Sequence, residues 1–494
     1  MDLQTFDELY VVSDLHMGGP AGHQIFSQGK TLAAFIRKLS GKTGKKTGLV
    51  LNGDIVDFLA EPDPSYLDPR NAVAKLKRIV FDDAAFKEVW SALMDFAAAD
   101  DHHLVLVLGN HDVELALPEV KNWLLNTLSK GAPAARGRIT ICFDGAGFAC
   151  NVGSRRVFCT HGNEVDTWNL IDYRQLRNVA MALNCGKTPE AWTPNAGTKL
   201  VIDVMNKIKQ QHAVVDLLKP EIEAAVPIVI ALKPEYLKNI GQVLKVAARL
   251  GMDSVWHRAG FLSAEEQQAE ERKTEEKELS RVLNKYFDYG TSPQLTAEAL
   301  MKTAYKSLDD ADSAFCSSGV DDEFLGVFDY IAAICSSREK RSEKLRNALR
   351  KKLENDKSFD MEHKDATFKE LDKQVGADVH FIVAGHTHLQ RAFARDSADS
   401  YYFNSGTWAR IIALTDKVLD NPEQFDRVYA AFDRPLSDLE KVMVPGRSGD
   451  QPLVMLRPAV VALVVENGET FGELRLAQPD GSLEPVENTK FPRR

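Results

Sequence analysis

"FIVAGHTHLQ" (residues 381–390) is a run of apolar, strand-forming residues that stops at Gly385 and then presents His386 and His388 with one residue between them. Its place in the chain decides the architecture. Upstream, the first 165 residues alternate β-rich runs with helical patterns: LYVVSD (9–14), GLVLNGD (48–54), HLVLVLGN (103–110), RITICFD (138–144) and RRVFCTH (155–161), with a helical stretch over 72–98. Short runs rich in Val, Leu and Ile, bounded by Gly, Asp or Asn, read as strands of a sheet with helices packed against it. From about 167 to 375 the pattern turns helical, as in Val201, Val204, Met205 and Ile208 at i, i+3, i+4 and i+7. Ser263 with Glu266 forms a capping-box signature in this block, and AAVPIVIAL (224–232) reads as its apolar core. Strand character then returns in DVHFIVAGHTH (378–388), SYYFNSGTW (400–408) and AVVALVVENGETFGELRLA (459–477), the last with Asn467-Gly468 as a hairpin signal. The helical block therefore interrupts one α/β unit. Residues 1–166 and 376–494 are expected to form the two parts of a core, and 167–375 a large helical insertion, either a lid or an oligomerisation element.

The chain has 494 residues, 44% of them hydrophobic, which suits packed cores and several domains. Its formal charge of −10 gives no overall field that would draw it to nucleic acid or anionic membranes, so neither is the favoured partner. The opening MDLQTFDELYVVSDLH shows no basic segment followed by an apolar stretch, and no uninterrupted apolar run of about 18 residues occurs, so a cytoplasmic protein without a transmembrane segment is expected. Six cysteines (Cys142, Cys150, Cys159, Cys185, Cys316 and Cys335) lack any C-x-x-C pair and read as reduced thiols.

The abrupt change from apolar strand to polar ligand recurs at five places. Asp14 and His16 follow the first run, Asp54 the second, Asn110 and His111 the third, His161 the fifth, and His386 and His388 close the 378–384 run. In open α/β sheets ligands bind beyond the carboxyl ends of strands, so these residues converge on one rim. Imidazoles, carboxylates and an amide carbonyl, with no thiolate, suit Mn²⁺, Fe, Zn²⁺, Co²⁺ or Mg²⁺. Eight such residues exceed the needs of one tetrahedral ion and suit two ions of higher coordination sharing a carboxylate.

These motifs, DLH (14–16), GDIVD (53–57), GNHD (109–112), THG (160–162) and GHTH (385–388), resemble in order and content those of the calcineurin-like metallophosphoesterase superfamily. The resemblance implies a four-layer αββα sandwich and a dinuclear metal centre, with Mn²⁺ the leading candidate. Asp14, His16, Asp54 and His388 would hold one ion, and Asp54, Asn110, His161 and His386 the other, with Asp54 bridging. His111 would contact the phosphoryl group or protonate the leaving oxygen, Asp112 would orient His111, and Asp57 would act from behind the ligands or as a structural residue.

Phe58-Leu59 and Asp112 stand where phosphoprotein phosphatases usually carry Arg-Gly and Glu, which disfavours a protein substrate. The SDLH opening and Asn404 to Trp408 resemble UDP-2,3-diacylglucosamine pyrophosphatase-like phosphohydrolases, which carry a much shorter insertion. The function expected is metal-dependent hydrolysis of a phosphoester or pyrophosphate bond in a small or nucleotide-type substrate. Arg174, Arg177, Arg391 and Arg410 are the candidate phosphate-binding cations. The alternatives are a metal-dependent nuclease or cyclic nucleotide phosphodiesterase, and a non-catalytic scaffold. A homo-oligomer formed through the insertion is a further expectation.

Overall fold

Four strands that lie side by side explain why the early apolar runs are so continuous. In the computed structural model Glu8–Val12, Thr47–Asn52, His102–Val107 and Ile139–Cys142 pair in parallel. Parallel strands covered on both faces carry no solvent face and so lose the alternation of polar and apolar residues. The structure describes residues 3–209, 212–219, 228, 338–354, 356–397, 399–432, 434–446 and 449–493. The Ser263–Glu266 cap, Cys316 and Cys335, and all of 224–232 except the buried Ile228, lie outside them.

The chain divides into two compact units, one of Met1–Pro194, Lys357–Arg410 and Leu456–Arg494, the other of Asn195–Asp356 and Ile411–Met455. The expected 167–375 insertion differs from this division at three places. The stretch up to Pro194 stays with the first unit, because the helix Tyr173–Asn184 buries Leu176 and Val179 in that unit's core. Lys357–Gln374 also belongs there, because the helix Ala366–Gln374 packs Phe368 and Leu371 on that unit's sheet. Residues 411–455 join the second unit, because Ile411–Ala413 pairs with Leu218–Lys219 on one side and Val454–Met455 on the other.

Among the described residues the first unit holds two large sheets. One has seven strands, ordered Leu483–Pro485, Glu469–Ala477, Ala459–Glu466, Glu8–Val12, Thr47–Asn52, His102–Val107 and Ile139–Cys142. The other has six, ordered Thr5–Phe6, Phe148–Val152, Arg155–Cys159, Phe381–Ala384, Tyr401–Ser405 and Gln390–Ala394. Arg155–Cys159, Phe381–Ala384 and Tyr401–Ser405 run parallel to one another. Val157 pairs directly with Phe381, so two segments far apart in the sequence are adjacent strands of this sheet.

Side-chain alternation builds the layers. Leu9, Val11, Val50, Val105 and Leu463 from the seven-stranded sheet meet Cys150, Val157, Cys159, Phe381, Val383 and Phe403 from the six-stranded sheet in one buried cluster. Their neighbours Tyr10, Val12, Leu49, Leu51, Leu104 and Leu106 point the other way, against the helices Gly29–Ser40 and Lys87–Ala98. On the far face of the six-stranded sheet, Ile382, Ala384 and Tyr402 pack against Phe368 and Leu371 of Ala366–Gln374. The result is helix, sheet, sheet, helix, the mixed α/β sandwich expected.

The hairpin over Ala459–Glu466 and Glu469–Ala477 turns at Asn467 (φ 53°) and Gly468 (φ 83°), the two left-handed positions that a type I′ turn requires. The helical stretch 72–98 is broken, with a π-helical turn Arg78–Asp82 between Ala72–Lys77 and Lys87–Ala98. Cys142, Cys150, Cys159 and Cys185 are free thiols. In the second unit the helix Arg338–Leu353 buries Leu345 and Leu349 and sends Ser342 Oγ to Asp426 at 2.5 Å. Among the described residues no helix is long and apolar enough to cross a membrane.

Candidate metal centre

The parallel strands of both sheets release their polar residues at the same rim. Asp14 follows Glu8–Val12, Asp54 follows Thr47–Asn52, Asn110 follows His102–Val107, His161 follows Arg155–Cys159, and His386 follows Phe381–Ala384. The segments remain stitched together past their strands: Asp14 N donates to Gly53 O (3.1 Å), His16 N to Asp54 O (2.9 Å), and Gly385 N to His161 O (2.8 Å).

Backbone conformation marks this rim as built for aiming side chains. Among the described residues eleven non-glycine positions have positive φ, and five are Asp14 (54°), His16 (47°), Asp54 (48°), His386 (68°) and His388 (61°). Such conformations cost roughly 1–3 kcal/mol each and persist where surrounding structure holds them, commonly at functional sites. Two glycines admit the close approaches that follow. A Cβ on Gly385 would lie 2.5 Å from Ser13 Oγ and 2.7 Å from Asp14 Oδ2, which is why the apolar run of the opening stretch ends in glycine. A Cβ on Gly109 would lie 2.2 Å from Asp54 Oδ1. Gly109→Ala is accordingly expected to displace Asp54, lowering metal content and destabilising the fold by about 1–3 kcal/mol, an overpacking cost; urea unfolding beside metal analysis measures both.

Asp14, His16, Asp54 and His388 bring one ligand atom each to within 4.8 Å of one another, a group able to hold a metal ion. Within it His16 Nε2 lies 3.0 Å from His388 Nε2, His388 Nε2 lies 3.3 Å from Asp14 Oδ1, and His16 Nε2 lies 3.6 Å from Asp54 Oδ2. Asp54 also faces the other way, its Oδ2 standing 3.2 Å from His161 Nε2. His161 Nδ1 contacts Asn52 O at 2.9 Å, which directs Nε2 into the site. Asn110 is buried and its Oδ1 has no hydrogen-bond partner among the described groups. The ring of His386 lies 5.3 Å from that of His161, and its Nε2 is 2.8 Å from Asp166 Oδ2.

The donor set fits divalent cations. Asp14 and Asp54 are both buried, and two desolvated carboxylates at one rim are costly unless matched by positive charge. Burial opposes ionisation of Asp54, but the imidazoles of His161 and His111 outweigh it and hold the carboxyl well below its usual range. Hard oxygen and borderline imidazole donors, with an unpartnered amide oxygen among them, are what Mn²⁺, Fe, Zn²⁺, Co²⁺ or Mg²⁺ would take.

Two expectations need revision. Asp112 does not reach for the His111 ring; its Oδ2 accepts from Ile55 N and its Oδ1 from Gly109 N, each at 2.7 Å, tying two ligand loops together. The carboxylate beside His111 is Asp57, whose Oδ2 is 3.3 Å from His111 Nδ1 and 3.5 Å from His16 Nδ1. The second revision is Arg391. It is 1% exposed, with Nε on Asp365 Oδ2 (3.1 Å) and Nη1 on Gln390 O (2.9 Å), so it braces the cap of Ala366–Gln374 and is not available to a phosphate. Arg410 donates from Nη1 to Gln24 O at 2.7 Å, while Arg174 and Arg177 are exposed on Tyr173–Asn184.

Three contributors, Ser13, Thr407 and Asp166, were not among the expected site residues. Ser13 Oγ bonds Asp14 Oδ2 (2.5 Å) and Ser405 Oγ (2.7 Å), Thr407 Oγ1 donates to Asp14 O (2.7 Å), and Asp166 meets His386. The signals for the first two were their places in the SDLH opening and in the Asn404–Trp408 stretch.

Residues 8–220 match the calcineurin-like phosphoesterase family model. Over those residues the chain is similar to calcineurin-like phosphoesterases. That family consists of hydrolases acting on phosphoester bonds. No curated protein matches the chain. The match to the phosphoesterase model ends before His386 and His388, and it is the pairing of Phe381–Ala384 with Arg155–Cys159 that returns these two imidazoles to the phosphoesterase rim.

Proposed function

We propose that this phosphoesterase is a dinuclear enzyme that hydrolyses a phosphodiester, pyrophosphate or phosphomonoester bond in a small or nucleotide-type substrate. The observation that carries the reading is the position of Asp54, one carboxylate oxygen of which faces His16 and His161 from the two sheets at once. Asp14, His16, Asp54 and His388 would hold one cation, and Asp54, Asn110, His161 and His386 the other. When bound, such a pair activates water near neutral pH and withdraws charge from the phosphoryl oxygens.

The chain's own side chains supply the rest. His111, on the partly exposed edge of the rim, would hold a proton at its Nε2 for the leaving oxygen, with Asp57 Oδ2 3.3 Å from its Nδ1 supporting that role. Burial opposes the ionisation of Asp57, but His111 and His16 hold its carboxyl well below the usual range, so it stays an acceptor. Asp112 keeps the loops bearing Asp54 and Asn110 at fixed separation. Arg174, Arg177 and Arg410 are the candidate cations that would meet negative charge on the substrate beyond the phosphorus.

The test is a substrate panel with Mn²⁺-loaded protein: p-nitrophenyl phosphate, bis-p-nitrophenyl phosphate and a set of nucleotide pyrophosphates. Hydrolysis of at least one is expected, falling by ~10³-fold or more on chelation, since metal activation contributes several kcal/mol. A protein inert on the whole panel with both ions bound would leave the scaffold alternative standing. Salt-sensitive cleavage of single-stranded DNA would favour the nuclease.

A further inference from the structure

The carboxylate of Asp166 is locked in place before it meets its histidine. Its Oδ1 accepts from Trp168 N at 2.9 Å, and its Oδ2 from Asn169 Nδ2 at 2.7 Å. The main chain closes the same turn, with Asn169 N donating to Asp166 O at 3.1 Å. Upstream, the short 3₁₀ turn Asn163–Val165 folds the chain back just after His161. Five residues past one imidazole of the rim, a pre-set carboxylate thus lies 2.8 Å from Nε2 of another, His386.

His386 is held from a second side. Its backbone N donates to both Asp14 oxygens, at 3.1 and 3.0 Å, so the residue is fixed against the first cation group through its main chain and against Asp166 through its ring. A neutral imidazole has one N–H and one lone pair. With a carboxylate at Nε2 the N–H belongs there, and Nδ1 becomes the atom that can donate to a cation. Carboxylates behind ligand histidines set the tautomer, fix the ring and raise its basicity.

We propose that Asp166 is the positioning residue of the second cation, selecting the His386 tautomer that offers Nδ1 and holding that ring toward His161 and Asp54. The proposal rests on the dinuclear reading above. It assigns a metal-binding consequence to the segment that follows the lone histidine, where no motif points to one. A carboxylate that served only the fold would leave cation affinity unchanged once the protein is folded.

The experiment titrates Mn²⁺ into the chelator-stripped full-length protein, with calorimetry for affinity and elemental analysis for stoichiometry. Wild type is expected to bind two ions. Asp166→Ala is expected to keep the first affinity and weaken the second by about 10–100-fold, with Asp166→Asn, which retains an acceptor without charge, intermediate. Asp166→Asn decides the matter where the alanine variant does not fold. In a His386→Gln background, Asp166→Ala is expected to add no further loss, because its effect passes through that ring. Losses that add in the double variant, or second-ion affinity unchanged in both single variants, overturn the proposal while leaving the dinuclear reading intact. A wild-type protein that binds fewer than two ions overturns both.

Discussion

Asp54→Ala is expected to empty both cation positions and to lower kcat/KM by at least ~10³-fold, because the metal contribution of several kcal/mol is lost with them. Asp54 Oδ2 stands 3.6 Å from His16 Nε2 and 3.2 Å from His161 Nε2, and the residue is buried, so the variant leaves no carboxylate oxygen between the two imidazoles. Its other oxygen accepts from His111 N at 2.8 Å, so the variant also releases the loop that carries the proposed acid. Elemental analysis beside steady-state kinetics measures both effects. An Asp54→Ala protein with two ions and wild-type turnover would refute the bridging role.

His111→Ala separates chemistry from metal binding. Its ring packs edge-on against His16 at 4.8 Å, and its Nδ1 faces Asp57, but it is not among the four residues whose ligand atoms converge on the first cation group. The variant is expected to keep both ions and to lose ~10²–10⁴-fold in kcat, the range of a general acid. The loss should be smaller for substrates with good leaving groups such as p-nitrophenolate, which need little protonation. Equal losses for good and poor leaving groups would assign His111 to phosphoryl binding, and lost ions would make it a ligand.

The parts of this fold visible in the sequence are those where chemistry changes abruptly along the chain. Strands buried on both faces, such as Thr47–Asn52 and Phe381–Ala384, are runs of apolar residues, and the polar residue that ends each one stands out against them. Asn467-Gly468 was legible for a related reason, since two left-handed positions in succession are served by few residue pairs. Pairing between distant segments was not legible. Leu218–Lys219 against Ile411–Ala413 is a two-residue match with no pattern to announce it, and it carries 411–455 into the second unit.

The direction of individual side chains was equally hidden. Arg391 follows GHTH closely, so its position in sequence suggested a phosphate contact, yet the pleat of Gln390–Ala394 turns it inward to Asp365. Asp57 and Asp112 are both carboxylates of the right motifs; only the backbone path, which puts Asp112 beside the amides of Ile55 and Gly109, shows which one lies next to His111. Asp166 depends on a turn after His161 that brings a carboxylate back to His386, more than two hundred residues away, at 2.8 Å. A linear pattern holds no trace of such a meeting.

The central claim is that Asp54 lies between two cations. Anomalous diffraction at the manganese edge from Mn²⁺-loaded crystals tests it most directly. The dinuclear account expects two peaks, one on each side of the Asp54 carboxylate, roughly 3.5–4 Å apart. A single peak among Asp14, His16 and His388, or none at this rim, would contradict it.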